Sequence, residues 1–260
     1  MRPNHLREIL KQGKLAFGSM IQEFKSPAVA YLFANAGFDF VFIDMEHGPF
    51  DIESTSDLVK SIRQQGLTCL VRVPDGQYHL IARVLDSGAE GIMVPRVETR
   101  QEVEYIVNCV KYPPMGKRGL SVPKGHNDYR RADPFEFTRQ ANRENLVILQ
   151  IERPQAVESI DDLLSVPGVD VALIGPNDLA LSLGVPNDHQ NPILKSAVEE
   201  VIISARRHQV FSGAHASQAA LVEWAQQGMQ MLVYSNDLDF LARASAQELA
   251  SLRQLTQTTQ

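Results

Sequence analysis

The sequence predicts an α/β protein, a single (β/α)8 barrel of the TIM type over residues 1–260. The chain has 260 residues, and one such barrel typically needs about 250. Eight short apolar runs alternate with helical patterns from one end of the chain to the other. Because eight β-then-α units in a chain of this length specify a closed parallel barrel better than an open sheet, the barrel is favoured.

Each strand prediction rests on a short apolar run, and each helix prediction on helical spacing of apolar residues. The predicted strands are 15–21, 38–43, 68–73, 91–94, 146–149, 171–174, 211–214 and 231–234. The predicted helices are 26–35, 52–65, 77–87, 100–111, 156–164, 192–208 and 238–255. A further helix at 6–12 is expected to plug the barrel base. Helix-ending glycines support the count, because a left-handed C-cap is wanted just before a strand: Gly37, Gly66, Gly88 and Gly228.

The one long interruption of the alternating pattern is 112–134, after the fourth of the barrel helices. A loop of that length in a compact domain usually carries function or contacts another subunit. The sequence therefore predicts one of these roles for 112–134.

Composition excludes several classes of protein. The formal net charge is −6 without a basic stripe, which argues against non-specific binding to nucleic acid or a membrane surface. No apolar stretch approaches the roughly 20 residues that span a bilayer, and no secretory signal is visible at the N-terminus. Cys69 and Cys109 fall in a predicted strand and a predicted helix. We therefore expect buried, reduced thiols in a cytoplasmic protein.

Two carboxylates follow neighbouring strands of the predicted barrel. Glu152 comes just after the fifth strand, and Asp178 comes just after the sixth. The carboxyl ends of parallel strands surround the crevice where α/β proteins bind ligands. Two carboxylates there suit a hard divalent cation that keeps some of its waters. The alternative is that Asp178 caps a helix and Glu152 is an acid near a helix start.

A histidine follows the second strand in the run Asp44-Met45-Glu46-His47. His47 is a candidate general base, because a neutral imidazole titrates near working pH. Asp44 lies three residues earlier, within reach to hold the tautomer of the ring. The alternative is that Asp44 and Glu46 cap the next helix and His47 is a loop residue.

An arginine and a turn complete the predicted site. Arg72 ends the third strand and must find an anionic partner, because an unpaired buried guanidinium is costly. That partner is either a substrate carboxylate or enolate oxygen, or, structurally, Asp44 or Asp75. After the sixth strand, a turn starts a helix and presents backbone N–H groups that suit a carboxylate. The turn consists of Gly175, Pro176, Asn177 and Asp178.

Absent motifs narrow the chemistry. An aldolase that works through a Schiff base needs a lysine at the barrel mouth, and none of the predicted strand ends carries one. No glycine-rich phosphate loop, zinc-binding histidine pair or G-x-S-x-G elbow is present. His215 ends the seventh strand and is a further candidate to line the site.

At these residues the chain resembles the HpcH/HpaI aldolase family, the metal-dependent class II aldolases of 2-oxo acids. The matching segments cover most of the chain in the family's order and spacing. They are 42–48 (FIDMEHG), 71–74 (VRVP), 91–95 (GIMVP), 112–119 (YPPMGKRG), 150–152 (QIE) and 174–179 (IGPNDL).

The resemblance implies a lyase that reversibly cleaves a 4-hydroxy-2-oxo acid into pyruvate, or a related 2-oxo acid, and an aldehyde through a metal-stabilised enolate. It implies Mg²⁺, Mn²⁺ or Co²⁺ at Glu152 and Asp178, with Arg72 on the oxo oxygen and Gln150 helping to position the ligand. Backbone N–H groups around 176–178 would take the carboxylate, and His47, oriented by Asp44, would move the hydroxyl proton. The resemblance also implies a homohexamer with the last helices exchanged between subunits.

The chain departs from the family pattern in two places, at 120–130 and at Arg96. Both are expected to lie near the aldehyde half of the substrate, which leaves the aldehyde open. His126 of the first segment is expected to face that half. Two other functions stay open: a lyase of malyl or citryl thioesters, which would need a coenzyme A groove, and an inactive barrel that senses a metabolite.

Overall fold

Eight parallel strands close into a barrel in chain order, with β8 returning to pair with β1. The computed structural model describes residues 1–257. The strands are β1 (Ala16–Ile21), β2 (Phe40–Asp44), β3 (Thr68–Arg72), β4 (Gly91–Val94), β5 (Leu146–Ile151), β6 (Val171–Ile174), β7 (Phe211–Ala216) and β8 (Met231–Asn236). The predicted TIM-type barrel is therefore confirmed.

Helices surround the barrel and connect its strands. They are α1 (His5–Lys11), α2 (Ala28–Asn35), α3 (Ile52–Gln64), α4 (Tyr78–Ser87), α5 (Arg100–Val110), α6 (Pro134–Glu144), α7 (Pro154–Glu158), α8 (Ile160–Leu164), α9 (Pro176–Ser182), α10 (Pro192–Arg207), α11 (Gln218–Gln226) and α12 (Asp237–Gln257). Side chains cap several N-termini: Asp51 and Ser54 form a capping box on α3, and Thr99 and Glu102 form one on α5.

The core has two layers. Inside the barrel, large side chains such as Phe40, Phe42 and Ile148 fill the centre, as expected of a packed TIM-barrel interior. Between barrel and helices lies a larger layer of buried aliphatic residues. Leu6 and Leu10 of α1 belong to the inner layer, so α1 closes the barrel base as predicted.

The predicted helix ends are also confirmed, because the four glycines before strands all have positive φ. Gly37, Gly66, Gly88 and Gly228 have φ of 87°, 82°, 114° and 106°. Two helices, α6 and α11, were not predicted, and for α9 the turn at 175–178 indicated the start of a helix but not its length. The start of α6 reads Pro-Phe-Glu-Phe, an alternation typical of a strand, and α9 and α11 are short. The predicted helix at 156–164 is interrupted at Ser159, where α7 ends and α8 begins.

The segment 112–134 packs away from the barrel mouth, against α4. Gly125 lies so close to Ser87 that an added Cβ would meet the Ser87 carbonyl oxygen at 2.2 Å. His126 is 3% exposed, and its ring packs 4.7 Å from that of Phe137. The expectation that His126 faces the substrate is therefore wrong for the cavities of its own chain.

Helix α12 extends from the barrel with a largely exposed surface. Among Asp237–Gln257, Asp237 is the buried residue. Exposed leucines follow along the helix: Leu238, Leu241, Leu249, Leu252 and Leu255. None of the helices within residues 1–257 combines the length and apolar character needed to cross a membrane.

Candidate active site

Two adjoining cavities lie at the carboxyl ends of the strands. The larger cavity, of about 300 Å³, brings together most of the predicted site residues: His47, Arg72, Gln150, Gly175, Pro176, Asn177 and Asp178. The smaller cavity, of about 260 Å³, shares His47 and Asp178 with it and adds Glu46, Arg96, Glu152 and Arg153. Asp44 lines neither cavity, because it is fully buried beside Arg72.

Glu152 stands just beyond β5 with both carboxylate oxygens in contact. Its Oε1 accepts a 2.8 Å hydrogen bond from the backbone N–H of Arg96, and its Oε2 accepts one from the Gln150 amide. Burial raises the pKa of Glu152, and the nearby charges of Asp178 and Glu46 raise it further, against the hydrogen bond from Arg96. Two clustered carboxylates that repel one another are a favourable place for a cation.

The start of α9 fits closely around this carboxylate. A Cβ at Gly175 would lie 2.9 Å from Glu152 Oε2 and 3.0 Å from Gln150 Nε2. Asp178 follows in the first turn of α9, and the first N–H groups of a helix lack intrahelical acceptors. The turn therefore brings a carboxylate and backbone donors to the same wall of the larger cavity.

These residues fit a divalent ion. Gln150 Oε1 is buried and has no hydrogen-bond partner in the described chain, and an unpaired buried acceptor is costly. Residues 1–257 contain no group of three or more His, Cys, Asp or Glu side chains arranged around a metal. A site of two carboxylates would not form such a group, and Mg²⁺ typically binds one or two carboxylates and fills its other positions with water and substrate oxygens.

Asp44 and Arg72 form the buried ion pair beneath the larger cavity. Strands β2 and β3 pair these two residues directly, and Arg72 Nε and Nη2 donate to Asp44 at 2.8 and 2.5 Å. Gln22 Nε2 donates to Asp44 at 3.0 Å. Burial alone would raise the pKa of Asp44, but hydrogen bonds and charge from Arg72 hold it below its usual value. Of the two structural partners considered for Arg72, Asp44 is confirmed and Asp75 is not.

The predicted contact between Asp44 and the His47 ring is wrong. Asp44 Oδ1 accepts a 3.3 Å hydrogen bond from the backbone N–H of His47, so it fixes the loop and not the imidazole. The carboxylate beside the ring is Glu46, whose Oε2 lies 3.9 Å from His47 Nε2. The His47 side chain is 66% exposed, which leaves the ring accessible from both cavities.

Glu46 lines the smaller cavity, whereas its place in the sequence indicated only a helix cap. It is buried between two arginines, with Oε2 3.2 Å from Arg72 Nη1 and Oε1 2.8 Å from Arg96 Nη1. Arg96 also donates from Nη2 to the Pro74 carbonyl at 2.6 Å. The sequence shows that Glu46 precedes His47. Whether Asp44 or Glu46 enters the cavity depends on the path of the loop, which the motif does not determine.

The far wall of the larger cavity comes from β1, β7 and β8. His215 lines it as predicted, together with Gln22, Asn236 and Asp239, which were not singled out from the sequence. Burial lowers the pKa of His215, and the charge of Arg72 lowers it further. The ring is therefore neutral near pH 7. Gln22 follows the end of β1, and Asn236 ends β8, so position at a strand end was the available signal.

Comparison with known proteins agrees with this geometry. The sequence profile of the HpcH/HpaI aldolase/citrate lyase family matches residues 22–239. The chain is 31% identical to the hydroxypyruvate/pyruvate aldolase of Roseovarius nubinhibens over 251 residues, 96% of this chain and 97% of that protein. It is 29% identical to the 5-keto-4-deoxy-D-glucarate aldolase of Shigella boydii over 252 residues, 95% of each.

Solved structures extend the likeness to three dimensions. An HpcH/HpaI aldolase from Desulfitobacterium hafniense DCB-2 gives a TM-score of 0.92 at 31% identity, over 96% of this chain and 97% of that one. The citrate synthase SbnG gives a TM-score of 0.88 at 29% identity, over 97% and 98%. The chain therefore belongs to the HpcH/HpaI aldolase/citrate lyase family and is an enzyme of its aldolase and lyase type.

Proposed function

We propose that this enzyme reversibly cleaves a 4-hydroxy-2-oxo acid into pyruvate, or a related 2-oxo acid, and an aldehyde. The observation that carries the proposal is the set of oxygen ligands at the junction of the two cavities. Glu152 and Asp178 face the smaller cavity together, and the unpaired Gln150 Oε1 lies beside Glu152. The names of the aldolases similar to this chain fit the same reaction class.

Glu152 and Asp178 would hold a divalent ion, Mg²⁺, Mn²⁺ or Co²⁺. When bound, the ion supplies Lewis-acid stabilisation for the negative charge that develops on the 2-oxo acid. Gln150 would position the 2-oxo acid in the larger cavity, and the backbone N–H groups that follow Pro176 would bind its carboxylate. This assignment places the carboxylate at Gly175–Asp178 and leaves the smaller cavity for the aldehyde.

Arg72 would stabilise the enolate oxygen. A guanidinium carries five N–H groups; Nε and Nη2 of Arg72 each donate one to Asp44, and Nη1 lies 3.2 Å from Glu46 Oε2, which leaves N–H groups of Nη1 and Nη2 for a ligand. His47 would accept the proton of the C4 hydroxyl as the C3–C4 bond breaks, and the electron pair of that bond passes into the enolate. The aldehyde leaves through the smaller cavity, and protonation at C3 completes the 2-oxo acid.

The test is release of pyruvate from a panel of 4-hydroxy-2-oxo acids, followed with a coupled pyruvate assay. We expect cleavage with added Mg²⁺, Mn²⁺ or Co²⁺ and its loss in excess chelator, restored by readdition of the ion. Full activity in chelator, or borohydride trapping of a covalent substrate adduct, would show Schiff-base chemistry and overturn the proposal.

The likeness to the citrate synthase SbnG supports a second candidate, cleavage or formation of a carbon–carbon bond in a citryl- or malyl-type substrate. Malyl and citryl thioesters and free citrate therefore belong in the same panel. Turnover of these compounds without turnover of any hydroxy-oxo acid would favour the second candidate. Binding of 2-oxo acids without any turnover would instead indicate a metabolite sensor.

A further inference from the structure

His215 is the titratable side chain of the larger cavity that the proposed reaction does not use. It stands on β7, opposite the wall that carries the smaller cavity, and it lines the larger cavity with Asn236 and Asp239. The residues assigned above to the carboxylate, the oxo oxygen and the aldehyde lie on β2 to β6 and the loops that follow them. The β7 and β8 side of the cavity is therefore left for another part of the substrate.

A backbone carbonyl fixes the tautomer of this ring. His215 Nε2 lies 3.2 Å from the carbonyl oxygen of Ser235, which can only accept, so Nε2 carries the hydrogen. In the neutral ring Nδ1 then holds a lone pair. No described residue of 1–257 donates to Nδ1, so a hydrogen-bond acceptor is available on this side of the cavity.

The carbonyl that sets the tautomer is held in an unusual backbone conformation. Ser235 has a φ of 58°, a left-handed conformation that is uncommon for a residue other than glycine. Its carbonyl also accepts a 3.1 Å hydrogen bond from the Ser19 hydroxyl. Backbone strain of this kind clusters at ligand sites, and the residue that carries it here supplies the carbonyl that contacts His215 Nε2.

The neighbours of His215 add further polar groups. Asn236 Nδ2 donates to Asp239 Oδ2 at 3.0 Å, and the backbone N–H of Asp239 donates to Asn236 Oδ1 at 2.8 Å. Gln22 donates to Asp44 through its Nε2, which leaves its Oε1 free to accept a second hydrogen bond. This wall therefore suits a hydroxyl group better than a methyl group.

We propose that His215 Nδ1 accepts a hydrogen bond from a hydroxyl on C3 of the 2-oxo acid, which makes hydroxypyruvate a preferred donor over pyruvate. The inference rests on the proposed function, because it uses the carboxylate position at Gly175–Asp178. A donor bound there and on Arg72 directs a C3 substituent away from the smaller cavity, toward β7 and β8. In the cleavage direction the corresponding substrate is a 3,4-dihydroxy-2-oxo acid.

The experiment compares the two donors in the aldol direction with glycolaldehyde as the common acceptor. We expect His215→Leu to lower the ratio of kcat/KM for hydroxypyruvate to that for pyruvate about tenfold, the effect of one lost hydrogen bond in a desolvated site. His215→Asn keeps an acceptor oxygen close to the position of Nδ1 and should restore most of the ratio. His79→Leu on the exposed surface of α4 is the matched control.

Calorimetric binding of both 2-oxo acids to the Mn²⁺-loaded protein gives a readout independent of turnover. His215→Leu should weaken the binding of hydroxypyruvate and leave the affinity for pyruvate within about twofold of wild type. An unchanged donor ratio in His215→Leu, or equal ratios in His215→Leu and His215→Asn, would overturn the inference. If wild type binds both acids with the expected preference but cleaves no hydroxy-oxo acid, the proposed function fails and the His215 assignment stands.

Discussion

Asp44 links the charges at the barrel mouth to the loop that carries His47. It is fully buried and accepts hydrogen bonds from Arg72, Gln22 and the backbone of Glu46 and His47. Removal of one partner of a buried ion pair leaves an uncompensated charge and typically costs 3–5 kcal/mol. We therefore expect Asp44 to act on catalysis by fixing Arg72 and the His47 backbone.

The substitution of His47 should slow bond cleavage without changing the affinity for the metal ion. We expect His47→Ala to lower the cleavage rate by about 10²–10⁴-fold, the usual contribution of a general base. The affinity for Mn²⁺ measured by calorimetry should stay within a few-fold of wild type, because Glu152 and Asp178 are untouched. Asp178→Ala is the contrasting variant and should lower the affinity for Mn²⁺ directly. Loss of Mn²⁺ binding in His47→Ala would make the imidazole a ligand and contradict its role as base.

Arg96 should select among aldehydes. Its side chain is 46% exposed and lines the smaller cavity, where the guanidinium pairs with the buried side chain of Glu46. Arg96 has a φ of 57°, so Arg96→Asn is the suitable variant, since Asn tolerates this conformation. We expect a changed ranking of kcat/KM between succinic semialdehyde and butanal, because the substitution removes a positive charge from the aldehyde side.

Deuterium exchange at the methyl group of pyruvate should continue in Arg96→Asn, since it does not require the aldehyde. Arg100→Ala removes an exposed arginine of α5 that pairs with Glu104 and Asp162, and it serves as the control. An unchanged aldehyde ranking in Arg96→Asn would show that selectivity arises at other residues.

At the scale of the element, the junction of β6 and α9 requires a residue without a Cβ at position 175, which is Gly175. Gly175→Ala would place a methyl group 2.9 Å from Glu152 Oε2, so the carboxylate or the turn must shift. We expect Mn²⁺ affinity to fall by about 10–100-fold, as for other changes that disturb a metal-binding carboxylate through its neighbours. Gly76→Ala, with its nearest contact at 3.3 Å on Ile106, is the control. An unchanged Mn²⁺ affinity in Gly175→Ala would show that Glu152 does not bind the ion.

Strands and helix ends were predictable because they depend on local signals, namely apolar runs and glycines at left-handed positions. The proximity of Glu152 and Asp178 was also predictable, because each residue follows the carboxyl end of a strand, and β5 and β6 are neighbours. The partner of Arg72 was not determined by local signals. It follows from the register of β2 and β3, which sets Asp44 beside Arg72, and side-by-side register cannot be read from either strand alone.

At the scale of the whole molecule, a buried carboxylate at the barrel base makes stability depend on pH. Burial raises the pKa of Glu90 to about 7, although the backbone N–H of Cys69 donates to it. A carboxyl group with a raised folded pKa stabilises the fold fully at low pH, below its ordinary pKa. That contribution is lost as pH rises through about 7.

Glu90→Gln should therefore be more stable than wild type at pH 8, by up to about 3 kcal/mol, because a neutral amide has no charge to bury. The difference should shrink at pH 5, where Glu90 is protonated. Urea unfolding at both pH values measures it, with Glu199→Gln on the exposed face of α10 as the control. An equal difference in the free energy of unfolding at both pH values would contradict the raised pKa of Glu90.

Helix α12 carries the exposed apolar surface through which we expect the subunits of the enzyme to associate. Five leucines of α12 are 49–66% exposed in the single chain, and contiguous exposed apolar surface usually marks an interaction site. An apolar cavity of about 460 Å³ lies between α2 and the start of α12, lined by Leu32, Phe33, Phe38 and Phe240 among others. We therefore propose a homo-oligomer, a hexamer by resemblance, in which α12 packs on a neighbouring subunit.

The variant Leu249→Glu/Leu252→Glu tests this assembly. It places two charges on α12 at positions that are 49% and 59% exposed in the single chain, so the barrel should keep its thermal stability. We expect light scattering after size exclusion to show a smaller species than wild type, since two carboxylates would be desolvated in the interface. Gln247→Glu/Ser251→Glu adds the same charge beside the leucines and should leave the assembly intact. A monomeric wild type would contradict the homo-oligomer, and an unchanged mass for the leucine variant would place the subunit contacts elsewhere.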